Sequence, residues 1–134
     1  MDFLGSKSAT VATTSTQRGQ WAEEQALRHL QAQGLKLIER NYRTPGRGGG
    51  EIDLIVRDRD GSLVFVEVRS RNTGRFGGAA ASIGQSKQQR IVLAARHYLL
   101  KFAAPPPCRF DVVLVDTSGA QNRVQWLKAA FDAL

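Results

Sequence analysis

An α/β fold, with a sheet that contains an antiparallel hairpin and one crossover helix, is what this sequence predicts from three observations. Two segments repeat apolar residues at helical spacing, four others alternate or run apolar as strands do, and their order is helix, three strands, helix, strand. The crossover should be right-handed. A chain of 134 residues suits one domain, enough for a buried core and too little for two independent ones. Residues 1–16, rich in Ser, Thr and Ala, cannot bury enough to order themselves and read as a flexible arm on a single domain spanning 17–134.

From about Arg18 to Gln33, Ala22, Ala26, Leu27 and Leu30 fall on one helical stripe, and Gly34 ends the segment. LKLIERNY follows as a strand, then the irregular loop TPGRGGG, then the strands EIDLIVRD and LVFVEVRS joined through RDG. A second glycine-rich loop, NTGRFGG, leads to a helix ending near Phe102 with Ile91, Ala94, Ala95, Tyr98 and Phe102 on one stripe. Ser82 with Gln85, or Ser86 with Gln89, is placed to cap its start. The prolines at 105 to 107 stop it, RFDVVLVD is the fourth strand, and the tail suggests a short strand around Val124 to Leu127 and a final helical turn or two.

The 19 Lys and Arg against 12 Asp and Glu leave a net charge of +7, which favours an anionic partner. The distribution is more telling than the total. Between Val68 and Phe110 there is no acid, while Arg69, Arg71, Arg75, Lys87, Arg90, Arg96, Lys101 and Arg109 lie inside that span. On charge alone, a solvated basic face and a nucleic-acid footprint weigh equally. The lone Cys108, read as a small buried side chain, excludes an intramolecular disulfide and a cysteine-rich zinc site. His29 and His97 belong to no metal-ligand motif, and GRGGG precedes a strand rather than the helix a nucleotide-binding loop requires. No apolar run approaches the ~18 residues of a spanning helix and the start lacks a signal-peptide pattern, so a cytoplasmic protein without membrane association is expected.

The hairpin sets the chemistry. If Gly61 takes the left-handed conformation and closes a loop of Arg59, Asp60 and Gly61, then Asp58 and Ser62 are the first facing pair. Counting back, Val56 faces Val64, Asp53 faces Glu67 and Glu51 faces Arg69. Facing side chains lie ~5 Å apart on one side of the sheet, so two carboxylates meet on a face kept dry by Ile55, Leu63 and Phe65. Their repulsion needs an offset. Asp and Glu with a backbone carbonyl and water form the hard oxygen set that Mg²⁺ or Mn²⁺ takes. A loop one residue longer would put the two acids on opposite faces, and pairing of each acid with an arginine is a further alternative. Glu23 sits on the apolar stripe of the first helix and therefore points toward the sheet, whereas Glu24 is turned outward and serves the helix dipole equally well. Lys87 likewise begins the buried stripe of the second helix, from where a lysine can also snorkel to solvent.

At these residues the chain resembles a known family. GEIDLIV, FVEVRSR, FGGAAAS with the Ser-Lys pair at 86 and 87, and CRFDVV are similar to the YraN-like family of uncharacterised bacterial proteins. That family resembles restriction-endonuclease-like and Holliday-junction-resolvase-like nucleases of the PD-(D/E)xK type. The resemblance covers roughly residues 18 to 128 and implies a restriction-endonuclease-like core, a mixed central sheet flanked by helices. Carried over, Asp53 and Glu67 match the metal-binding acids, joined by the Val68 carbonyl, and Glu23 matches the helix glutamate that holds a second metal or orients water. The signature lysine corresponds to Arg69, an arginine that stays protonated and cannot act as a general base. Lys87 occupies another basic position of the family. The resemblance thus implies a Mg²⁺- or Mn²⁺-dependent nuclease, structure-selective or weakly sequence-selective. Its partner would be DNA more readily than RNA, reached through Arg69, Arg71, Arg75, Lys87 and Arg90, with a homodimer the analogy from resolvases. The same residues leave open a non-catalytic nucleic-acid-binding protein with a degenerate nuclease fold, or a structural protein whose acids and arginines form a sheet-surface charge network.

Overall fold

The computed structural model describes residues 15–71, 83–118 and 123–132. Helix α1 (Ser15–Ala32) is followed by β1 (Lys36–Arg43), β2 (Glu51–Arg57), β3 (Leu63–Arg71), α2 (Gln85–Leu99), β4 (Cys108–Asp116) and β5 (Arg123–Phe131). The order helix, three strands, helix, strand and the mixed central sheet flanked by helices are those read from the sequence.

Local chemistry fixes the joints. Gly34, at φ 96°, ends α1 with two stacked hydrogen bonds, the Gly34 amide donating to the Gln31 carbonyl and the Leu35 amide to the Leu30 carbonyl. This is the Schellman pattern that a glycine without a Cβ permits. Gly61, at φ 89°, closes the β2–β3 turn, where the Asp58 amide donates to the Ser62 carbonyl and the Gly61 amide to that of Asp58. The three-residue loop is therefore real, and the ladder runs from Arg57 opposite Leu63 to Leu54 opposite Val66.

The five strands lie in the order β1-β2-β3-β4-β5, with β3 and β4 parallel across the α2 crossover and the other neighbours antiparallel. Two cores follow from strand alternation. Ala22, Ala26, Leu27 and Leu30 of α1 cover Leu54, Val56, Val64 and Val66, while Ile91, Ala94, Ala95 and Tyr98 of α2 cover Ile55, Leu63, Phe65 and Phe110 on the opposite face.

Three expectations need correction. The tail forms no final helical turn up to Asp132; it continues as strand to Phe131, because β5 pairs along β4. Neither serine pair caps α2. Its N-cap is Gly84 with no side-chain cap, Ser86 lies inside the first turn, and Ser82 falls outside the described residues. Cys108 is exposed, since it opens β4 directly after the prolines at the end of the sheet. No helix among the described residues is long and apolar enough to cross a membrane.

Candidate metal and nucleic-acid site

The β2–β3 ladder stops at Leu54 and Val66, and the next residues of the two strands build the site. Val68, beyond the ladder, donates its amide to Asp53 Oδ2 at 2.8 Å. The Asp53 side chain thus satisfies a backbone donor that an extended ladder would have used. Asp53 and Glu67 also hydrogen-bond to each other, which requires a proton between them. Burial, then the Asp53 charge, pushes the Glu67 carboxyl up to about 8, against the opposing pull of Lys87. Burial also raises Asp53, while the Val68 amide and the Glu67 carboxyl favour its ionised form. Both carboxyls are thus raised above their ordinary values, and the pair holds a proton more readily than either acid would alone.

Lys87 reaches this corner from the first turn of α2, with Nζ 3.6 Å from Glu67 Oε2. Arg69 lies two residues along β3 from Glu67 and so shares its face. The Arg69 Nε atom is buried and has no hydrogen-bond partner among the described residues. Glu23 approaches from the other helix. Its carboxyl is raised by burial and by Asp53, and lowered by a hydrogen bond from the Asn41 side chain and by Arg40. Yet α1 covers the face opposite to that of α2, and no group of three or more His, Cys, Asp or Glu side chains is gathered for a metal among the described residues. At this corner the carboxyls of Asp53 and Glu67 meet, and Glu23 on α1 feels the charge of Asp53.

The remaining expectations are met unevenly. Glu51 belongs to no ladder pair with Arg69 and instead forms an ion pair with Arg43 at 3.5 Å. Arg71 ends β3, where its carbonyl accepts from the Thr117 amide at 2.6 Å. Arg90 is exposed on α2, one turn beyond Lys87, and Arg75 lies outside the described residues. The acid-free span is not a single basic track, because Arg109 is committed to Asp58 at 2.9 Å and to Asp111 at 3.0 Å.

Residues 22–115, which include every acid of this corner, match the model of the uncharacterised protein family UPF0102. The chain belongs to that family. A UPF0102 protein of Acidovorax sp. (strain JS42) is 62% identical over 135 residues, covering 99% of each chain. One of Paracidovorax citrulli (strain AAC00-1) is 66% identical over 129 residues, covering 96% of this chain and 93% of the relative. One of Verminephrobacter eiseniae (strain EF01-2) is 65% identical over 143 residues, covering 99% and 97%. UPF0102 is the YraN-like family, and its fold resembles that of the restriction-endonuclease-like nuclease superfamily.

Three residues that shape this UPF0102 fold are not singled out by sequence pattern. Asn41 interrupts a strand that otherwise reads as regular, and asparagine's poor fit to strands is the available signal. Gly50 closes TPGRGGG, a stretch that reads as flexible loop, although a Cβ there would lie 1.8 Å from the Arg90 carbonyl oxygen, so only glycine lets β2 start against α2. Asp111, inside RFDVV, reads only as strand; it is fully buried and accepts hydrogen bonds from Arg109, Trp126 and the Ala129 amide.

Proposed function

We propose that this chain is a metal-dependent nuclease that hydrolyses phosphodiester bonds, structure-selective or weakly selective for sequence, with DNA as the favoured substrate and Mg²⁺ or Mn²⁺ as cofactor. The observation that carries the reading is the meeting of two carboxyls, buried Glu67 and half-buried Asp53, with an ammonium at its edge. Two acids held together off the end of a ladder are unfavourable unless they share a proton or a cation. Their oxygens suit a hard divalent ion.

Asp53, Glu67 and the Val68 carbonyl would hold the ion, and Glu23 would orient water or hold a second one. A divalent cation in that position acidifies water and neutralises charge on a phosphate. The chain's own residues do the rest. Arg69 remains protonated and so takes the role of phosphate binder rather than general base. Lys87 places positive charge where negative charge grows during phosphoryl transfer. Arg71, Arg75 and Arg90 hold the backbone without reading bases, which suits recognition by structure.

Arg69 in the place of the signature lysine favours one alternative, a nucleic-acid-binding protein that has lost catalysis. Branched, single-stranded and duplex DNA incubated with Mg²⁺ or Mn²⁺ separate the two. The nuclease reading expects metal-dependent cleavage that Asp53→Ala and Glu67→Ala abolish. Salt-sensitive binding without cleavage would establish the alternative, and cleavage surviving both substitutions would expose a contaminant.

A further inference from the structure

The loop from residue 44 to residue 50 has a fixed base and an open tip. At the base, the Thr44 amide donates to the Gly50 carbonyl at 3.1 Å and the Gly50 amide to Thr44 Oγ1 at 2.7 Å. A Cβ on Gly49 would lie 2.1 Å from Thr44 Oγ1, so the pinch leaves no room for a side chain. At the tip, Gly46 and Gly48 stand at φ 85° and 67°, and a Cβ on either would meet nothing within 4 Å. Positive φ rather than packing calls for glycine there. Between them is Arg47, exposed and the one long side chain of the stretch 45–48. Among the described residues it pairs with no acid, whereas Arg43 is tied to Glu51.

Both flanking strands turn this loop toward α2. Arg40 of β1 reaches Glu24 on α1 at 3.3 Å, yet Tyr42 packs edge-on against Tyr98 of α2 with ring centroids 5.3 Å apart. In a regular strand those positions share a face. Strand β2 makes the matching change, from Ile52 in the core under α2 to Leu54 in the core under α1. Arg40 pairs with Leu54 and Tyr42 with Ile52, so the change falls at Asn41, at φ 52°, and at Asp53 across from it. Gly50 then seats against the Arg90 carbonyl, one turn beyond Lys87. Arg47 is three residues from that contact and so within about 11 Å of it. Because β2 begins and β3 ends here, Arg47 stands at the same end of the sheet as Asp53, Glu67 and Lys87.

A contact to phosphate would need no such thin tip. A tip one arginine wide fits the minor groove of duplex DNA, which is about 6 Å across and most negative where A·T pairs narrow it. We propose that the loop 44–50 is a DNA-contacting arm whose Arg47 enters the minor groove beside the corner of Asp53 and Glu67. Groove entry rests on the DNA partner of the nuclease reading. It gives weak sequence selectivity a form, a preference for A·T-rich duplex, because the minor groove separates A·T from G·C and little else.

Two duplexes of equal length, one with a central A·T tract and one G·C-rich, test this by fluorescence anisotropy in chelator at low ionic strength. Arg47→Ala should weaken binding of the A·T duplex about 10-fold and that of the G·C duplex less than about 2-fold. Equal loss on both would make Arg47 a phosphate contact and overturn groove entry. Parent-like affinity for both overturns the arm as a contact at all. A parent chain that binds neither duplex removes DNA as the partner, and both readings fall together. A parent chain that shows the Arg47 pattern yet cleaves nothing in Mg²⁺ or Mn²⁺ overturns the nuclease reading and leaves the arm standing.

Discussion

Lys87 holds its ammonium 3.6 Å from the Glu67 carboxyl, a half-exposed cation against a buried acid contributed by a different element. The contact joins the first turn of α2 to the middle of β3. A lysine that served only to snorkel would be replaceable by methionine with its stem packing intact. On the nuclease reading, Lys87→Met should lower the single-turnover cleavage rate by about 10²-fold, the scale of one lost electrostatic stabiliser, with little change in DNA affinity. Lys87→Arg should recover part of the rate. Rapid-quench cleavage beside equilibrium binding measures both quantities.

The shared proton makes stability depend on pH and metal. A carboxyl raised in the folded state stabilises fully below its unfolded value of 4.5, and that contribution is lost as pH rises through about 8 for Glu67. Asp53 shifts in the same direction. Asp58, Asp60 and Asp116 are lowered and act below this window. In chelator the melting temperature should therefore fall from pH 5 to pH 9, and Glu67→Gln should flatten the decline. Added Mn²⁺ should raise the melting temperature more at pH 8 than at pH 5, because protons compete for the same oxygens. Thermal melts across that range, with and without metal, test all three outcomes.

Much of the fold was legible because it is local. Gly34 and Gly61 announce a helix end and a three-residue turn, and the turn alone sets the β2–β3 register through to Leu54 and Val66. The contact between Asp53 and Glu67 follows from that count even though the ladder has already stopped. What the sequence concealed depends on two strands at once. Asn41 and Asp53 change face together, and neither strand's pattern reveals it alone. The close seat of Gly50 on α2 and the network around Asp111 likewise join segments whose approach no periodicity encodes. The tail misled for a related reason, as β5 is shaped by the partner it pairs with rather than by its own pattern.

Asp111 ties β4 to β5 through three donors. It accepts from Arg109, from the Trp126 indole at 2.8 Å and from the Ala129 amide at 2.9 Å, across the bulge where the β4–β5 register shifts. Arg109 in turn holds Asp58 at the hairpin. Removing the carboxylate leaves a partly buried guanidinium without its main partner and two donors unsatisfied. Asp111→Ala should cost about 3–5 kcal/mol, the range for breaking a buried ion pair from one side, as read from urea unfolding.

Glycines at positions 19 and 50 make opposite predictions for the same substitution. Gly19 lies within α1 at no positive φ, and a methyl group added there would meet nothing within 4 Å, so Gly19→Ala should stabilise by about 0.5–1 kcal/mol through helix propensity. At Gly50 the new Cβ would fall 1.8 Å from the Arg90 carbonyl oxygen and 3.1 Å from Ala94 Cβ. Backbone cannot give way as a flexible side chain can, so β2 and α2 must move apart at the end where Asp53 and Lys87 meet Glu67. The Gly50 amide also donates to Thr44 Oγ1 at 2.7 Å, which ties the preceding loop to the same shift. Gly50→Ala should cost about 1–3 kcal/mol, as overpacking does. It should also weaken Mn²⁺ binding, although residue 50 carries no side chain that could touch the ion. Urea unfolding and metal titration of the two variants, side by side, separate a general effect of added alanine from the displacement of α2.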